Sequence, residues 1–162
     1  MSLLEWGALG ELIGGAAIII SLIYVGIQVR QNTMAQRLST SHQIAEDLAD
    51  VYLFPSGSNE MAQIFIDGLS GNELKGPAHM RFYGYLHKFF RTMENAHYQF
   101  QYGALEWDAF EGVTRQFQYI VSTPGGQTYW RERGQWYTAE FSTYVDNLIA
   151  TNNQGEINLG GD

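Results

Sequence analysis

Between Gly7 and Val29 the chain carries 23 residues with no Lys or Arg and a single charge, Glu11. As an α-helix this run rises about 35 Å, enough to cross a hydrocarbon core of roughly 30 Å. Its strongly apolar members are Leu12, Ile13, Ile18, Ile19, Ile20, Leu22, Ile23, Val25, Ile27 and Val29. On the insertion scale they contribute roughly −3 to −6 kcal/mol together, less what five glycines and Glu11 take away. Glu11 costs little near the interface, where Trp6 reads as the anchor. The expectation is one N-terminal transmembrane helix. The competing readings are a buried helix of a soluble protein and a cleaved signal peptide. Against the second stand the missing charged n-region and the missing A-x-A site.

The small residues of this run keep one register. Gly7, Gly10, Gly14, Ala17 and Ser21 follow 3, 4, 3, 4 spacing, and Tyr24 and Gln28 continue the stripe. Gly10 and Gly14 make a small-xxx-small pair. Such residues let two helix backbones approach, so the stripe reads as a packing face for a second transmembrane helix, from a copy or a partner. Arg30 and Arg37 follow the run and no basic residue precedes it. The positive-inside rule then places the larger domain in the cytoplasm.

The 133 residues after the anchor are enough for one domain with a core of its own. Net charge is −8 and no Lys/Arg cluster occurs, which argues against nucleic acid or anionic lipid as the main partner. With no cysteine there is no disulfide, thiol nucleophile or cysteine-ligated metal. Helical spacing runs through Met34, Leu38, Ala45, Leu48 and Tyr52, with Ile44 and Val51, and no breaker separates this stretch from the anchor. Phe54-Pro55-Ser56-Gly57 ends it. Ser58 or Asn59 caps a short helix with Met61, Ile64, Phe65 and Leu69. The longest soluble helix starts near Pro77, carries Phe82, Leu86, Phe89, Phe90, Met93, His97 and Phe100 on one stripe, and stops at Gly103. Trp107 to Val121 is the next. Thr123-Pro124 is a cap with proline at the first helical position, opening a helix expected to hold Tyr129, Trp130 and Tyr137. Thr138 caps a last helix with Phe141, Tyr144, Val145, Leu148 and Ile149. The class is all-α: residues 1–6 form a short flank, 7–29 the transmembrane helix, 30–150 an irregular cytoplasmic bundle and 151–162 a flexible polar tail.

The stretch Leu22 to Thr33 (LIYVGIQVRQNT), the stretch Phe90 to Gly103 (FRTMENAHYQFQYG) and the pair Trp130 and Trp136 resemble signatures of a bacterial family. Its members are small, uncharacterised proteins with one N-terminal transmembrane helix and an all-helical domain. The resemblance covers most of the chain. It implies this fold and a bacterial inner membrane, single-pass, and brings no activity, cofactor or catalytic residue.

Two constellations carry polar chemistry. Glu94-Asn95-Ala96-His97 is one E-x-x-H, where a di-iron bundle uses two copies and two further carboxylates. His42, Glu46 and Asp50, at i, i+4, i+8 on another helix, are the available additions, or else a solvated face. Arg91, Glu94, Asn95 and His97 sit on an otherwise aromatic helix. They read as a structural polar network, with Glu94 paired to Arg91, or as the base of an aromatic-lined ligand pocket. Gly125-Gly126 at a helix start is a weak anion site. The serines have no elbow motif and no phosphate loop occurs. The sequence therefore reads as a non-catalytic, membrane-anchored accessory or scaffold protein that uses the bilayer and another transmembrane helix as partners and no cofactor. The alternatives are a ligand-binding sensor and, third, a di-metal carboxylate enzyme.

Overall fold

The computed structural model describes the backbone over residues 3–159 and the side chains over 6–7 and 10–151. Six helices follow in order: α1 (Leu3–Ser56), α2 (Asn59–Leu69), α3 (Pro77–Gln101), α4 (Trp107–Ser122), α5 (Pro124–Arg133) and α6 (Ala139–Leu159). A single 3₁₀ turn, Gly134–Trp136, joins the last two, and no strand occurs among the described residues. Two compact units divide the chain, Met1–Ser39 and Thr40–Asp162.

The first unit holds one element, the N-terminal part of α1. It is long and apolar enough to be a candidate membrane span. The ten apolar side chains from Leu12 to Val29 are 51–72 % exposed. A Cβ added at Gly7, Gly10, Gly14, Gly15 or Gly26 would meet nothing within 4 Å, so the small-residue stripe is uncovered too.

The second unit is a bundle around an aromatic core. Helix α3 supplies the centre: Leu86, Phe89, Phe90 and Met93 are wholly buried, as are Phe117 of α4 and Phe141 of α6. The C-terminal part of α1 adds Ile44, Leu48 and Val51, one face at i, i+4, i+7. Phe90 is the hub, with its ring centroid 4.9 Å from Phe117, 5.0 Å from Tyr129 and 5.5 Å from Trp130.

Local chemistry sets the helix ends. Ser58 accepts from the Met61 amide, and Thr123 accepts from Gly126 N at 3.1 Å ahead of Pro124. Helices α2 and α3 both close with a Schellman motif. Asn72 N donates to Asp67 O and Gly71 N to Gly68 O, while Ala104 N donates to Gln99 O and Gly103 N to Phe100 O. Gly71 (φ 81°) and Gly103 (φ 70°) occupy the left-handed position that each motif requires.

One sequence expectation changes. Tyr137 does not lie on α5. The helix tightens into the 3₁₀ turn at Gly134, and Tyr137 follows as extended backbone. The helical backbone of α6 is described as far as Leu159, and Thr151 Oγ1 donates to Asn147 O at 2.8 Å. Residues 1, 2 and 160–162 of the expected flank and tail lie outside the described residues.

Candidate functional site

Arg91 and Glu94 lie one turn apart on α3, and Arg91 Nη1 donates to Glu94 Oε2 at 2.6 Å. The Glu94 side chain is 14 % exposed and that of Arg91 45 %. Both reach across to the start of α6. Thr138 N donates to Glu94 Oε1 at 2.8 Å, and Arg91 Nη2 donates to Trp136 O at 3.0 Å. The Arg91 guanidinium also covers the Tyr137 ring at 4.6 Å. In a capping box, the third helical residue's carboxylate satisfies the amide of the cap residue. Here position three is Phe141, buried in the core, and Glu94 does that work from another helix. The pair is thus a latch between α3 and the entry to α6.

The other two expected members sit elsewhere. Asn95 is exposed and accepts from Gln99 at 3.5 Å. His97 is buried among rings, its centroid 4.6 Å from Tyr144 and 5.8 Å from Phe141. Burial holds its imidazole below the ordinary value, against the pull of Glu140 and Glu94. Arg91, Glu94, Asn95 and His97 therefore do not converge on one ligand. No group of three or more His, Cys, Asp or Glu is placed to hold a metal among the described residues. His42 and Glu46 form an exposed pair at 3.5 Å, and Asp50 faces Lys88 at 3.4 Å.

Sequence reasoning missed a polar seam that extends the latch. Tyr83, His87, Arg91 and Glu94 follow 4, 4, 3 spacing along α3, a face visible in the sequence but broken up by the aromatic stripe beside it. His87 Nδ1 lies 3.2 Å from Tyr129 Oη, which lies 2.8 Å from Tyr137 Oη. Tyr83 Oη donates to Glu132 Oε2 at 2.9 Å, and burial with this bond pushes its phenol up to about 12. Burial also raises Tyr129 and Tyr137. All three phenols stay protonated at neutral pH, each with a hydrogen-bond partner already in place. The seam ties α3 to α5 and to the segment after it through side-chain hydrogen bonds.

Gly125 and Gly126 are buried against neighbouring backbone. A Cβ at Gly125 would overlap the Gly68 carbonyl oxygen, and one at Gly126 would overlap that of Ile120. The glycines let α5 sit directly on α2 and on the end of α4. No protein-family model, curated protein or solved structure matches this chain.

Proposed function

We propose that this chain is a non-catalytic protein anchored in the bacterial inner membrane by the N-terminal part of α1. Its helical domain lies in the cytoplasm, and it works as an accessory or scaffold subunit through transmembrane helix packing. One observation carries the reading: the apolar side chains from Leu12 to Val29 are each more than half exposed in a helix long and apolar enough to cross a bilayer. A core helix of a soluble protein would be covered by its own fold, and an apolar surface this long is not kept in water. The bilayer is the cover that fits its length. The cytoplasmic side follows from Arg30 and Arg37, and the bacterial setting from the resemblance of Leu22–Thr33 and Phe90–Gly103. The satisfied Arg91–Glu94 latch and tyrosine seam favour a structural domain over an active site.

The scaffold reading is tested at the stripe of Gly7, Gly10, Gly14, Ala17 and Ser21. Gly14→Ile puts a branched side chain where two backbones would meet, whereas Ile19→Leu changes a different face at constant volume. In a membrane association assay Gly14→Ile is expected to abolish self-association or partner recovery and Ile19→Leu to leave it intact. Equal behaviour of the two variants contradicts the packing face.

A further inference from the structure

A groove of ≈ 400 Å³ lies within the second unit, between the end of α1 and the first half of α3. Val51 and Phe54 form one wall, Met80 and Tyr85 the other, and Gly84 lies between. Two features here cost stability and have no return inside the protein. Tyr85 Oη is the fully buried side-chain oxygen without a hydrogen-bond partner among the described residues, and a buried hydroxyl in that state forfeits its hydration. Gly84 sits mid-helix, where glycine is a poor helix former, yet a Cβ there would meet nothing within 4 Å. Gly68 and Gly125 are explained by close contact with neighbours; Gly84 is not. What its missing side chain leaves is open space above the groove.

The rim is charged. Arg81 and Lys88 stand three residues before and four after Gly84, on the same face of α3. Lys88 reaches Asp50 at 3.4 Å and Arg81 reaches Glu60 at 2.7 Å. Both pairs are exposed, so water screens them and either cation can exchange its partner for another carboxylate. Phe54 stacks on Tyr85 at 6.0 Å from the last turn of α1 and is itself partly exposed.

We propose that this groove binds a small aromatic carboxylate. Its ring lies over Gly84 between Phe54 and Met80, and its carboxylate takes Lys88 from Asp50. A shift of the Phe54 ring opens the Tyr85 hydroxyl, which donates to the ligand. Pockets of this size, apolar with a few convergent polar groups, suit ligands of that class. The proposal is independent of the membrane reading, because every residue it uses belongs to the second unit.

The test uses the full chain in a neutral detergent and 2-naphthoate as probe, measured by equilibrium dialysis. Saturable one-to-one binding is expected. Gly84→Leu fills the groove and should weaken binding at least about tenfold, which is about 1.4 kcal/mol, with no loss of thermal stability. Asp50→Asn frees Lys88 and should tighten binding severalfold, while Lys88→Gln should weaken it. Tyr85→Phe should raise the unfolding temperature in the absence of probe. Equal uptake by wild type and Gly84→Leu overturns the proposal. So does a drop in stability for Tyr85→Phe, or an Asp50→Asn variant that binds no better than wild type.

Discussion

Glu94 holds two partners of different kinds, a guanidinium on its own helix and a backbone amide 44 residues away. The first partner follows from i, i+3 spacing and is legible in the sequence. The second depends on how α3 meets α6, which no local pattern encodes. Because Arg91 is nearly half exposed, the loss on breaking the pair is smaller than the 3–5 kcal/mol of a fully buried one. Glu94→Gln removes a charge-assisted bond and weakens the cap of α6, and should cost about 1–3 kcal/mol in chemical denaturation. Glu46→Gln, in an exposed pair, should cost a few tenths at most. His97 gives a pH signature. Its folded imidazole titrates below the unfolded value of about 6.5, so the unfolded chain binds more protons in the window below that value. Stability should be constant above that window and fall as pH drops through it. In urea unfolding at pH 7 and pH 5, His97→Phe should show a smaller decrease than wild type.

At the scale of elements, breakers and caps are the legible part. Ser58, Pro77, Gly103 and Thr123-Pro124 each carry a local mechanism and mark ends within a residue or two. The reading fails where tertiary contact decides. The 3₁₀ turn that moves Tyr137 off α5 has no local marker beyond Gly134. The need for glycine at Gly125-Gly126 shows only once α2 and the end of α4 are known to lie against them. Helical glycines therefore divide into two kinds, and alanine separates them. Gly125→Ala should lower stability by about 3 kcal/mol, because a carbonyl oxygen cannot yield as a side-chain tip can. Gly84→Ala should raise it by about 0.5–1 kcal/mol. Thermal unfolding of the two variants beside wild type checks both signs.

For the whole molecule, the all-helical class was legible because apolar spacing of 3 and 4 recurs with no competing alternation. The candidate site was legible only in part. The Arg91–Glu94 pair was visible, while the tyrosine seam and the groove at Gly84 depend on contacts between helices distant in sequence. The N-terminal part of α1 is different in kind, since its properties are those of composition and length alone. Its apolar side chains are exposed and its small-residue face is open, which a bilayer and a second helix together would cover. A bilayer around this segment is what we propose. Alkaline carbonate extraction of membranes from cells producing the full chain tests it most directly, because that treatment strips proteins held only by surface contacts. The protein is expected to stay in the pellet and to enter solution only with detergent. Release into the carbonate supernatant would contradict it.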